Sequence, residues 1–202
     1  MAQHSDTGRR HNSLAQWLGQ AMLRLSGWQA GPFPDIDRAV IAGGPHTSNW
    51  DGVLALVSRS ALQKDVNVMI KSNLFKGPLG WLLNKLGAMP IERGRAGGVV
   101  EQTVAQFRQR DKLLIAVTPE GTRSNAEQWK LGFYHIARQA GVPIILALVD
   151  YRAKTFSFPV VIYPGDDMDA DLQEIYRHFA SVTPCHPDKL SAPVRAYYHG
   201  NQ

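Results

Sequence analysis

Residues 38–62 read RAVIAGGPHTSNWDGVLALVSRSAL. Arg38 to Gly43 is a short apolar run containing the β-branched Val40 and Ile41, the composition of a strand. Gly44-Pro45-His46-Thr47-Ser48-Asn49 collects the residues that turn a chain. From Trp50 to about Leu62 the sequence reads as a helix. The same alternation of strand and helix continues along the rest of the chain. Val66 to Ile70 predicts a second strand, Leu79 to Leu86 a helix and Ala88 to Ile91 a third strand. Val99 to Arg110 predicts a helix, Leu113 to Val117 a buried strand, and Thr118 to Gln128 a polar loop. Phe133 to Ala140 reads as a helix stopped by Gly141. Pro143 to Asp150 is a strand with which Phe156 to Tyr163 can pair across a short turn. Asp169 to Val182 is a last helix before a Pro-containing tail. Strands that alternate with helices predict an α/β fold: a single domain with a mostly parallel sheet flanked by helices.

Upstream of this unit, residues 1–34 read as a polar tail and an amphipathic helix. Leu14, Trp17, Leu18, Ala21, Met22, Leu25 and Trp28 recur at spacings of three and four, which places them on one helical face. Ser13 is the predicted N-cap and Gly27 the stop. Such a helix either docks on the core or lies on a membrane surface. Gly31-Pro32-Phe33-Pro34 is a linker, and residues 35–202 form the domain.

The composition sets further limits. With 202 residues, 44% hydrophobic and 19% charged, the chain fits one globular domain with a sizeable core. Lys and Arg number 22 and Asp and Glu 17, a formal net charge of +5. That excess suits anionic partners such as phospholipid surfaces or phosphorylated substrates. Cys185 is the single cysteine, so no internal disulfide forms and a reducing, cytoplasmic setting is expected. No apolar signal core follows the basic N-terminus, and no run approaches the roughly 18 residues of a membrane span. Contact with a membrane is therefore expected to be peripheral, on its inner face.

Three segments carry candidate chemistry. In a regular helix His46 and Asp51, five positions apart, would sit about 140° apart. With His46 in the turn and Asp51 in the first helical turn, the pair can meet. Ser48 or Asn49 would cap the helix, and the macrodipole favours Asp51 there. Asp51 could then hold one ring nitrogen of His46 and leave the other free as a general base. Second, Gly87 to Arg95 puts Arg93 and Arg95 just past a strand end, where α/β folds bind ligands. Arginine recognises phosphate oxygens bidentately. Third, Thr118-Pro119-Glu120-Gly121-Thr122-Arg123-Ser124 also comes directly after a strand. Gly121 allows close backbone approach, and Thr122, Arg123 and Ser124 offer donors to an anion, with Lys130 nearby. Dinucleotide and P-loop glycine motifs, the serine-hydrolase elbow and paired metal-ligand spacings are all missing from the sequence.

Taken together, these segments resemble the glycerophospholipid acyltransferase family, which includes lysophosphatidic acid acyltransferases. His46 and Asp51 match its His-x-x-x-x-Asp block. Gly87 to Arg93 approximates its second block, with Glu92 where Asp is usual. Glu120 to Ser124 matches its Glu-Gly-Thr-Arg-Ser block in full, and Val142 to Ile145 its apolar block with Pro. Lys71 precedes Leu74-Phe75-Lys76-Gly77-Pro78, as in the family. Pro45 stands where many members have Asn. The likeness runs from about Ile41 to Asp150.

The resemblance implies that residues 35–202 are an acyltransferase domain. A fatty acyl group would pass directly from acyl-CoA or acyl carrier protein to the hydroxyl of a lysophosphatidic-acid-like acceptor. It implies His46 as the base and Asp51 as its orienting partner. Arg93 and Glu120, Gly121, Thr122, Arg123 and Ser124, with Lys71, would bind the acceptor. No metal and no cofactor beyond the thioester co-substrate are implied. The implied partners are the acyl thioester, a lyso-phospholipid and an anionic membrane surface, not nucleic acid. Two alternatives keep the fold: an acyltransferase for a lyso-aminolipid or glycolipid, and a non-enzymatic lipid-binding protein. A third is a metal-dependent hydrolase using His46, Asp51 and Glu120.

Overall fold

The computed structural model of the chain describes residues 13–78, 80–81, 87–92 and 98–199. In chain order its elements are α1 (Ser13–Ser26), β1 (Gln29–Ala30), β2 (Arg38–Gly44), α2 (Asn49–Ala61), β3 (Val66–Lys71) and β4 (Ala88–Ile91). They continue with α3 (Gly98–Gln109), β5 (Leu113–Val117), α4 (Gly132–Ala140), β6 (Ile144–Asp150), β7 (Thr155–Ile162), α5 (Met168–Ala180) and α6 (Ala192–Arg195). The helix predicted over Leu79 to Leu86 falls largely outside the described residues.

The strands form one sheet in the order β1-β7-β6-β2-β5-β3-β4. All neighbours run parallel except β6 and β7, which pair antiparallel across the Tyr151–Lys154 turn. The α/β class, the mostly parallel sheet and the flanking helices are thus as the alternation predicts. β6 is buried from Ile144 through Val149, which is why it reads as an unbroken apolar run rather than an alternating one.

The two faces of the sheet carry separate cores. Val40, Ile115, Ile144 and Leu146 pack with Phe133 and Ile136 of α4 on one face. Ala39, Ile41, Leu114, Ile145 and Ala147 face the side where Leu54 and Ala55 of α2 pack. From β2 the chain moves through α2 towards β3 and β4. From β5, the neighbour of β2, it moves the opposite way through α4 to β6. Helices leave adjacent strand ends on opposite faces, and a crevice opens there, as expected at a topological switch point. The His46 turn and the Glu120 loop leave the ends of those two strands.

α1 differs from the expectation in an informative way. It ends at Ser26, whose hydroxyl donates back to the Met22 and Leu23 carbonyls. Gly27, the predicted stop, follows in the left-handed region at φ +74°, and Gln29–Ala30 then form β1 along β7. The residues it buries are Gly19 and Leu23, four positions apart, and Gly19 lies close against α2: a Cβ added there would come within 2.8 Å of Ala61 N. Leu14, Trp17, Leu18, Met22 and Leu25, most of the predicted apolar face, are exposed. The Pro-containing tail holds a 3-10 turn at Pro187–Lys189 and the short α6.

Candidate active site

Ser48 is the N-cap of α2, and Asp51 is the third residue of the helix. The Ser48 hydroxyl accepts from Trp50 N–H at 3.2 Å. The Asp51 carboxylate reaches back to accept from Ser48 N–H at 2.8 Å and Thr47 N–H at 2.9 Å. This is a capping box in which the acidic residue also faces the turn. The His46 ring meets the same oxygen, Nδ1 to Oδ2, at 3.1 Å. The other oxygen, Oδ1, accepts from the Tyr151 hydroxyl at 2.6 Å. Asp51 therefore has four donors around it, three on Oδ2 and one on Oδ1. Burial pushes its pKa up, but the bonds from His46, Tyr151 and Ser48 N–H outweigh that and hold it below its ordinary value.

Asp51 as acceptor fixes the His46 tautomer with the proton on Nδ1. Nε2 has no hydrogen-bond partner among the described residues and is left to accept a proton. Tyr151 is held in turn by an edge-to-face contact with Trp28, centroids 5.1 Å apart. Burial, then the hydrogen bond and charge of Asp51, drive the Tyr151 pKa far up, so it stays a donor.

A second carboxylate supports the turn from behind. Glu120 is 4% exposed, and its Oε2 accepts from the His46 backbone N–H at 2.7 Å. Its Oε1 accepts from the Ser191 hydroxyl at 3.4 Å, and Ser191 accepts from Trp129 Nε1–H at 2.8 Å. Burial pushes the Glu120 pKa up to about 7 against the hydrogen bond from His46 N–H. Beyond Glu120 the loop turns outward. Gly121 has φ +65°, and a Cβ there would meet the Lys130 side chain at 2.9 Å. Thr122, Arg123 and Ser124 are exposed. Lys71 is the last residue of β3, and its side chain lies outside the described residues, as does Arg93 altogether.

His46 and Asp51 line an apolar groove of about 930 Å³. It reaches both faces of the sheet, with Phe33, Ala55, Leu56 and Phe158 on one side and Val100, Phe133 and Ile136 on the other. A sequence model of the acyltransferase family matches residues 31–148, the stretch that holds this turn, this groove and the Glu120 loop. The chain belongs to the acyltransferase family. No curated protein matches it significantly. Among solved structures it is similar to a 1-acyl-sn-glycerophosphate (LPA) acyltransferase, PlsC, from Thermotoga maritima. That likeness has 12% identity and a TM-score of 0.57, over 83% of this chain and 76% of that one, and speaks for the fold.

Two parts of this acyltransferase's site escape a sequence reading. Tyr151 is 100 residues from Asp51, and its only sequence signal is its place just past the end of β6, beside the end of β2. The tail reaches the turn through His186 N–H, which donates to Thr47 Oγ1 at 3.1 Å. No group of three His, Cys, Asp or Glu side chains among the described residues is placed to hold a metal ion. The Glu120 carboxylate meets the His46 backbone rather than its ring.

Proposed function

We propose that this acyltransferase moves a fatty acyl group from acyl-CoA or acyl carrier protein to the hydroxyl of a lysophosphatidic-acid-like acceptor. The observation that carries the reading is the His46–Asp51 pair at an apolar groove, with one ring nitrogen held and the other free. The acceptor hydroxyl gives its proton to His46 Nε2 as its oxygen attacks the thioester carbonyl. The resulting tetrahedral carbon expels the thiolate, which takes the proton back from His46. One C–O bond forms, one C–S bond breaks, and free thiol and ester leave. Asp51 keeps the ring aimed and stabilises the transient imidazolium. Tyr151 and Glu120 act as positioning residues, one on the Asp51 carboxylate and the other on the His46 backbone. Each buried methylene of the acyl chain adds about 0.8 kcal/mol of binding, so the groove favours long chains.

Arg123, and Arg93 and Lys71 by resemblance, supply positive charge for the acceptor's phosphate, alongside Gly121, Thr122 and Ser124. The enzyme works from the membrane surface in this reading. Among the described residues no helix is long and apolar enough to cross a bilayer. α1 instead exposes Leu14, Trp17, Leu18, Met22 and Leu25, and α2 exposes Trp50, Val53 and Leu56. Leu56 also lines the groove, so a lipid chain can slide past α2 into it. A net charge of +5 adds attraction to anionic lipid.

The test is thioester consumption with a panel of lyso-lipids. Lysophosphatidic acid is expected to be acylated fastest. Preference for a lyso-aminolipid or glycolipid would move the acceptor class, and no acyl transfer to any acceptor would leave a binding protein.

A further inference from the structure

Beyond the end of the family match, the chain returns to the site. Residues 185–192 lie against both site loops through five contacts. His186 N–H donates to Thr47 Oγ1 at 3.1 Å, and Asn125 N–H donates to the Lys189 carbonyl at 3.1 Å. Ala192 N–H donates to the Ala126 carbonyl at 2.8 Å, and Ser191 joins Glu120 and Trp129. The segment is thus fixed to the His46 turn on one side and to the Glu120–Ser124 loop on the other.

This closure creates a second, polar pocket of about 330 Å³ beside the groove. Thr47, Ser48, Asn49 and Trp50 form one wall, at the start of α2. Arg123, His186 and Lys189 form the other. No carboxylate lines it. Neither Arg123 nor Lys189 has a side-chain hydrogen bond or ion pair among the described residues, and Lys189 is half-buried. A cation taken partly out of water without a counter-charge is costly, and an anion in the pocket removes that cost. Asn49, the first helical residue, has an N–H with no acceptor among the described residues, and the α2 dipole points its positive end the same way.

We propose that Lys189 and His186 of the C-terminal segment join Arg123 to bind the phosphate monoester of the acceptor. The inference rests on the acceptor reading above and adds residues from outside the family match. A phosphate monoester could come from the acceptor or from the 3′-phosphate of CoA. Position favours the acceptor: the pocket wall is the residues directly after His46. A glycerol phosphate holds its phosphorus three bonds from the carbon that bears the reacting hydroxyl, whereas CoA holds its 3′-phosphate beyond the whole pantetheine arm.

The experiment compares wild type, Lys189→Met and Lys189→Arg, each checked for folding by its melting curve. Calorimetric titration with glycerol 3-phosphate is the first arm. KM for lysophosphatidic acid, monoacylglycerol and acyl-CoA is the second. Lys189→Met is expected to weaken glycerol 3-phosphate binding about tenfold, the loss of one charge-assisted contact, and Lys189→Arg to restore most of it. KM for lysophosphatidic acid should rise about tenfold more than KM for monoacylglycerol or acyl-CoA. Unchanged glycerol 3-phosphate affinity, no binding by the wild type, or a rise confined to the KM for acyl-CoA would each overturn the proposal. If the wild type binds glycerol 3-phosphate through Lys189 yet leaves lysophosphatidic acid unacylated, the pocket stands and the acceptor reading falls.

Discussion

Replacing Glu120 by Gln removes a buried charge while keeping the shape that supports His46. The wild-type carboxyl, 4% exposed, titrates at about 7 instead of its ordinary 4.5. Burial is the main cause, and the His46 N–H and Ser191 bonds only partly offset it. A carboxyl with a raised folded pKa binds its proton more tightly folded than unfolded. Stability is therefore full below about 4.5 and is lost as pH rises through about 7. The interval from 4.5 to about 7 amounts to roughly 3 kcal/mol at alkaline pH. About 1 kcal/mol of that is lost between pH 6 and pH 8. Gln keeps an acceptor for His46 N–H and cannot ionise, so this pH dependence disappears with it. For a chain of this size 1 kcal/mol moves Tm by about 2–4 °C. Thermal melts of wild type and Glu120→Gln at pH 6 and pH 8 read the effect directly. Wild type should lose that increment relative to the variant on going to pH 8. Parallel losses in the two proteins would refute the reasoning and place the titration elsewhere.

The site and α1 supply three further expected outcomes. Tyr151→Phe keeps the contact with Trp28 and deletes the 2.6 Å bond to Asp51, so kcat should fall about tenfold. The Asp51 carboxylate, held below its ordinary pKa partly by that bond, should become more basic; an unchanged kcat in the folded variant would leave Tyr151 a packing residue only. Trp17→Ser combined with Leu25→Ser alters side chains 63% and 90% exposed, so it should abolish flotation with anionic vesicles while changing stability by less than about 1 kcal/mol. Leu23→Ala, buried where α1 meets the fold, should do the reverse, costing about 2 kcal/mol by denaturation and sparing vesicle binding.

Local features of this chain are legible in its sequence because local physics makes them. The strand–turn–helix unit at 38–62 announces itself through an apolar run, a Gly-Pro turn and a capping residue, and the structure places Ser48 and Asp51 in a capping box. The same reading brings His46 and Asp51 together across a turn. Contacts made only in the folded chain leave no such trace. Tyr151 bonds Asp51 from 100 residues away, and His186 reaches Thr47 across 139. The seam of α1 is hidden for another reason. Counting apolar side chains selects Leu14, Trp17, Leu18, Met22 and Leu25, yet the helix docks where Gly19 has no side chain to obstruct α2. Glu120 sits among phosphate-type donors in the sequence, and only the fold reveals that its carboxylate turns inward to the His46 backbone.

The role of His46 as general base in acyl transfer is tested by release of free thiol from an acyl thioester, dependent on added lysophosphatidic acid. Wild type should release thiol and form the diacylated phosphate in equal amounts. His46→Ala, with an unchanged melting curve, should lower that rate by roughly 10²- to 10⁴-fold, the contribution of a general base. Folded His46→Ala protein that transfers acyl groups at the wild-type rate would contradict the assignment.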